Sequence, residues 1–137
     1  MSLWSTHALG PAPSDAEARR LWMQHAAGFI MFHDIGEYAR SHIDVSLSPE
    51  AQQAAEQAIN DALYGLMMVA NGVTGGLHND HHTLKVRVVV MLEDDDTIID
   101  SLDLFDGDGA CMGYHLWKAN DFGEDPVAIP RRSAEAP

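Results

Sequence analysis

Apolar residues recur along this chain at two different periods, one in each half. From Ala18 onward, Leu21, Trp22, His25, Phe29 and Phe32 follow at steps of three and four, while Ala26, Ala27, Ile30 and Met31 fill much of the remaining circumference. The pattern predicts a first helix whose middle is buried nearly all round. Ser14 and Asp15 offer N-cap oxygens and Glu17 puts negative charge in the first turn, so the start is expected there, with the end between Gly36 and His42. Gly28 and Gly36 each lower helix propensity by about 1 kcal/mol relative to alanine. Glycines so placed permit close packing or mark a kink.

A second helix is announced more sharply. Ser48-Pro49-Glu50 puts a capping hydroxyl, a proline at the first helical position and a favourable negative charge in order. Ala51, Ala55, Ala58, Ile59, Ala62, Leu63, Leu66 and Ala70 then form a seam of small residues that lets a neighbouring backbone come close. Asn71-Gly72 is the expected stop, and Gly75-Gly76 extends the break. After it the period changes to two. Leu84, Val86, Val88, Val90 and Leu92 alternate with Lys85, Arg87, Val89, Met91 and Glu93, which predicts a strand. Acidic residues 93–96 read as a turn before a second strand over 97–105, and Asp106-Gly107-Asp108-Gly109 as a turn before a third over 110–117. Residues 115–119 also fit a short helical turn. The architecture this predicts is α+β: two antiparallel helices on a three-stranded antiparallel β-meander. A flexible N-terminal tail over 1–13, one domain over 14–129 and a flexible C-terminal tail over 130–137 complete the expectation.

Charge narrows the partners. Eight Lys and Arg against 21 Asp and Glu give a formal charge of −13 at pH 7 with histidine neutral, which repels a phosphate backbone and disfavours nucleic acid. Between residues 93 and 125 there are eleven acids and one base, Lys118, so one end of the molecule carries a negative field suited to a basic protein. The acidic turn Asp94, Asp95 and Asp96 is the candidate contact. No apolar run approaches the ~20 residues that span a bilayer, and no signal-peptide pattern opens the chain, so a cytoplasmic location without membrane contact is expected. Cys111 is the single cysteine, which rules out an intramolecular disulfide. Two helices cover only one face of the sheet; the other carries Val89 and Met91, joined by Phe105 or Trp117 according to register. That face predicts a homodimer.

Candidate chemistry is sparser. In an extended segment His78, Asp80 and His82 point to one side, where two imidazoles and a carboxylate would suit zinc or another transition metal. The string also resembles part of the metallo-β-lactamase-type signature His-x-His-x-Asp-His through His78, Asp80 and His81, with Gly76 where the first histidine would stand. Phe32-His33-Asp34-Ile35-Gly36 resembles the central motif of HD-domain phosphohydrolases, which implies His33 and Asp34 as metal ligands and a phosphate ester as substrate. That family is all-helical and carries a further downstream aspartate, whereas this chain has a strand-rich second half. Asp103, Asp106 and Asp108 fail the EF-hand spacing, because Ala110 and Trp117 fall at ligand positions. The glycines at 72, 75 and 76 lack both a phosphate-loop lysine and a preceding strand. Cys111 and His115 are placed to meet across one strand face.

The expectation that combines these signals is a small acidic, non-catalytic protein-interaction module, of the inhibitor or immunity type, that needs no cofactor and docks a basic protein. The alternative is a small metal-dependent hydrolase using the His78 loop or the His33-Asp34 pair.

Overall fold

The computed structural model describes residues 7–106, 109–119, 121–123 and 126–128. The expected C-terminal tail over 130–137, residues 1–6 of the expected N-terminal tail, and Gly107 and Asp108 of the turn expected before the third strand lie outside the described residues. In chain order the elements are β1 (Ala8–Leu9), α1 (Ala16–Phe29), a π-helical segment (Ile30–Ile35), α2 (Gly36–Arg40), α3 (Pro49–Ala70), β2 (Leu77–His78), β3 (Thr83–Leu84), β4 (Val89–Asp94), β5 (Thr97–Asp103), a 3-10 turn (Leu104–Asp106), α4 (Ala110–Lys118) and β6 (Val127–Ala128). Helices and antiparallel strands are mixed, and no helix among the described residues is long and apolar enough to cross a membrane.

Local chemistry sets the helix starts. Asp15 Oδ2 accepts from the Ala18 N–H at 2.9 Å, and Ser48 Oγ accepts from the Ala51 N–H at 3.2 Å with Pro49 at the first position of α3. At the other end of α3, Gly72 adopts φ +74 and the N–H of Val73 reaches back to the Met68 carbonyl at 2.9 Å, which ends the helix. The first long helix keeps helical backbone at both of its glycines. It continues through the π-helical turn into α2, and Gly28 serves packing: its Cα lies against the indole of Trp117.

The strands form three separate two-stranded antiparallel pairs, β1–β6, β2–β3 and β4–β5, in place of the expected three-stranded meander. Two corrections to the predicted sheet account for this. The expected long strand over 84–92 breaks at residues 85–88, so Val88, Val90 and Leu92 pack on the core while Leu84 and Val86 stay exposed. The expected third strand is the helix α4. Its sequence satisfies both periods, but Ala110, Gly113, Tyr114 and Trp117 fall on one helical face, and that face is buried. Its N-cap position is Gly109, which has no side chain to offer, and the Asn71 carboxamide at the end of α3 accepts from the Ala110 N–H instead.

The core gathers Trp22, Met23, Ala27 and Met31 from the first long helix, Leu63, Met67 and Ala70 from α3, Leu102 and Leu104 around the end of β5, and Ala110, Tyr114 and Trp117 from α4. α4 packs against both α1 and α3, and the β4–β5 hairpin leans on α1. Trp117 is 0% exposed, and its indole N–H donates to His25 Nδ1 at 2.9 Å. A buried polar pair of this kind fixes the rotation of both helices, because either group left unpaired would cost about 1–3 kcal/mol.

Candidate functional site

The β4–β5 hairpin carries the acidic turn. Its register pairs Val89 with Asp103, Met91 with Ser101, Leu92 with Asp100 and Asp94 with Thr97, with an irregularity between Leu92 and Glu93. Strand alternation then divides it into two faces. Val90, Leu92 and Leu102 pack inward, and Arg19 Nε of α1 meets Asp100 Oδ2 at 2.7 Å at the same side. That hydrogen bond, together with the Ser101 N–H, holds the Asp100 carboxyl below its ordinary value. Outward stand Val89, Met91, Ile98 and Ile99, each between 51% and 57% exposed; Ile98 and Ile99 follow the turn closely, while Val89, paired with Asp103, is at the far end of the hairpin.

The turn Asp95-Asp96 joins the strands, and Glu93, Asp94, Asp95 and Asp96 are all exposed. Asp95 has φ +53, the sole positive value for a non-glycine among the described residues. Aspartate tolerates the left-handed region better than most side chains do, yet glycine would sit there without cost. Among the described residues the ion pairs use Asp34, Glu37, Glu56, Asp100 and Asp103; none involves the four acids at the tip. The tip is therefore a concentrated negative charge without a counter-charge among the described residues, on a hairpin that also exposes apolar side chains. A cleft of about 460 Å³ at the start of α1, lined by Asp15, Glu17, Arg20, Gln24, Leu102 and Asp106, adds more acid than base.

The histidine string does not adopt the extended form that would align His78, Asp80 and His82. His78 pairs with Thr83 at the end of a short hairpin, and residues 79–82 turn. Asn79 closes that turn: its Oδ1 accepts from the N–H groups of His81 at 2.9 Å and His82 at 2.7 Å, and its own N–H donates to the His82 carbonyl at 2.9 Å. An asparagine two and three residues before the N–H groups it binds is the local signal for this turn, and it outweighs the strand reading. Among the described residues no group of three or more His, Cys, Asp and Glu is placed to hold a metal ion.

His33 and Asp34 lie on the π-helical turn, their side chains a third exposed, with His33 Nδ1 and Asp34 Oδ1 3.1 Å apart. The His33 ring stacks on Phe29 at 4.6 Å and meets the His7 ring edge-on at 4.9 Å, while Phe122 packs on the edge of Phe29 at 5.1 Å. The pair is one edge of an aromatic cluster. Cys111 and His115 stand one turn apart on α4, not across a strand, with the Tyr64 ring 5.6 Å from that of His115. The Tyr64 phenol is pushed up from its ordinary value, first by its electrostatic interaction with the neighbouring Cys111 thiol and then by desolvation.

Compared with family models, curated proteins and solved structures, the chain matches none. Its own geometry is what bears on function. Sequence reasoning named Asp94, Asp95 and Asp96, which share the hairpin tip, and it named Val89 and Met91 on the outer face. It missed Ile98 and Ile99, although the β-branched run after the acidic turn was a visible signal. It offered Phe105 or Trp117 as an addition to that face according to register, and Trp117 belongs to the centre of the core.

Proposed function

We propose that this chain is a small, non-catalytic interaction module whose β4–β5 hairpin docks a basic protein surface. The observation that carries the reading is the occurrence on one hairpin of four exposed acids, without a counter-charge among the described residues, and the exposed apolar residues Val89, Met91, Ile98 and Ile99. The two parts act at different stages of association. Unneutralised charge steers a basic partner during approach, and apolar burial holds it after contact. Charge alone gives solubility as readily as recognition; exposed apolar residues on the same hairpin are what favours docking.

The test starts from co-purification with native-host extract, followed by kinetics with the partner recovered. Neutralising Asp94, Asp95 and Asp96 to Asn should slow association roughly tenfold at low salt and flatten its salt dependence, because exposed charges act mainly through the on-rate. Met91→Ser should leave the on-rate intact and speed dissociation. A partner bound with unchanged rates by both variants would place the interface elsewhere and end this reading.

A further inference from the structure

We propose that the glycine-rich loop 72–76 and the stretch 85–87 form a binding site for a phosphate group, free or terminal on a monoester. The sequence offers those glycines without a lysine of their own. The fold supplies one from elsewhere: Gly72, Thr74, Gly75 and Gly76 line a cavity of about 90 Å³ together with Lys85, Val86, Arg87 and Phe105. Arg87 is held in place at the cavity wall. Its guanidinium lies 3.9 Å over the Phe105 ring, whose edge packs on Gly72, and its Nη1 is 3.6 Å from Asp103 Oδ2. Lys85 forms no ion pair among the described residues. Two cations against one carboxylate leave a local charge of about +1 in a chain whose net charge is −13.

The loop adds donors to that charge. Among the described residues the N–H groups of Thr74, Gly75 and Gly76 meet no backbone acceptor, and Gly75 takes φ +91, so the loop turns at the cavity wall with its amides uncommitted to the backbone. Loop amides without a backbone acceptor are available to an anion, and a lysine and an arginine lining the same cavity supply the charge. Size selects the ligand. A cavity of about 90 Å³ has room for one small anionic group. A tetrahedral oxyanion has enough acceptor oxygens for both the amides and the two cations, whereas a carboxylate has two. The site is separate from the hairpin tip and does not rest on the docking function above.

Titration of the full chain at constant ionic strength, by calorimetry or phosphorus NMR, tests the assignment with inorganic phosphate, phenyl phosphate and acetate. Saturable binding of inorganic phosphate or phenyl phosphate at about millimolar concentration is expected. The tighter of the two tells whether the natural source is free or esterified. Lys85→Gln, at an exposed side chain with no ion pair among the described residues, should keep the wild-type melting curve and weaken binding about tenfold, the effect of one charge-assisted hydrogen bond. Lys118→Gln, which removes a positive charge elsewhere, should bind as wild type. The proposal is overturned if neither phosphate saturates by about 20 mM, if Lys85→Gln binds as wild type, if Lys118→Gln weakens binding equally, or if acetate binds as tightly as phosphate.

Discussion

Replacing Gly28 by alanine pits helix propensity against packing, and the structure says which wins. In an isolated helix the change is favourable by about 1 kcal/mol. Here a Cβ on Gly28 would lie 2.2 Å, 2.3 Å and 2.5 Å from three atoms of the Trp117 indole, far inside the roughly 3.5 Å of a carbon–carbon contact. The ring has little room to retreat. It is 0% exposed, a Cβ on Gly113 would meet it at 2.5 Å, and its N–H is bonded to His25 at 2.9 Å. Overpacking of a tight core costs about 1–3 kcal/mol, and a locked aromatic ring belongs at the upper end. Taking about 3 kcal/mol for the clash and returning about 1 for propensity leaves a net loss of about 2 kcal/mol. With a urea m-value of about 2 kcal/mol per M, the midpoint should fall by about 1 M. Gly65→Ala in α3 is the control, since nothing stands within 4 Å of its added Cβ. That variant should gain up to about 1 kcal/mol. A Gly28→Ala midpoint at or above wild type, or two glycines that respond alike, would refute the close-packing argument.

Other expectations follow from single contacts. Asp95→Gly relieves the left-handed strain at φ +53 and should raise stability by about 1 kcal/mol while slowing partner association, so a thermal melt and a binding-rate measurement should move in opposite senses. Asp100 has a carboxyl held below its ordinary value by Arg19, so its contribution is present above the unfolded value of about 3.9 and is lost as pH falls through the folded one. Acid titration of Asp100→Asn should therefore show a flatter loss of stability below about pH 4 than wild type, and an identical acid limb would count against the contact. Zinc should not raise the melting temperature, because the turn at Asn79 scatters His78, Asp80 and His82; a zinc-dependent rise abolished in His78→Ala/His82→Ala would restore the hydrolase reading. Light scattering across a dilution series should show the 15.0 kDa chain pairing through the outer hairpin face, more strongly at high salt, where the mutual repulsion of two copies is screened; a strict monomer at both salts would exclude it.

Where the deciding interactions are local, the sequence alone determined the outcome. Ser48 and Pro49 start α3 because a hydroxyl three residues from an N–H needs no tertiary help, and Asn71-Gly72 stops it for the same reason. The acids 93–96 were legible as a turn because a polar run separates two stretches rich in β-branched residues; the turn itself falls at Asp95 and Asp96, with Glu93 and Asp94 ending β4. Tertiary structure decided the remainder. Residues 110–117 fit a strand and a helix equally well by period. The helix prevails because its apolar face completes the core between α1 and α3, and because Asn71, 39 residues away, caps its first N–H. The histidine string had ligands in plausible order, but a backbone turn set their directions. Gly28 was ambiguous between kink and close contact until Trp117 came to lie against it. Loop 72–76 met Lys85 and Arg87 only through folding, because the pairing of β2 with β3 carries that stretch back across the glycines. The contacts of Asn71 with Ala110 and of Gly28 with Trp117 join residues far apart in the chain, and no periodicity within a segment encodes them.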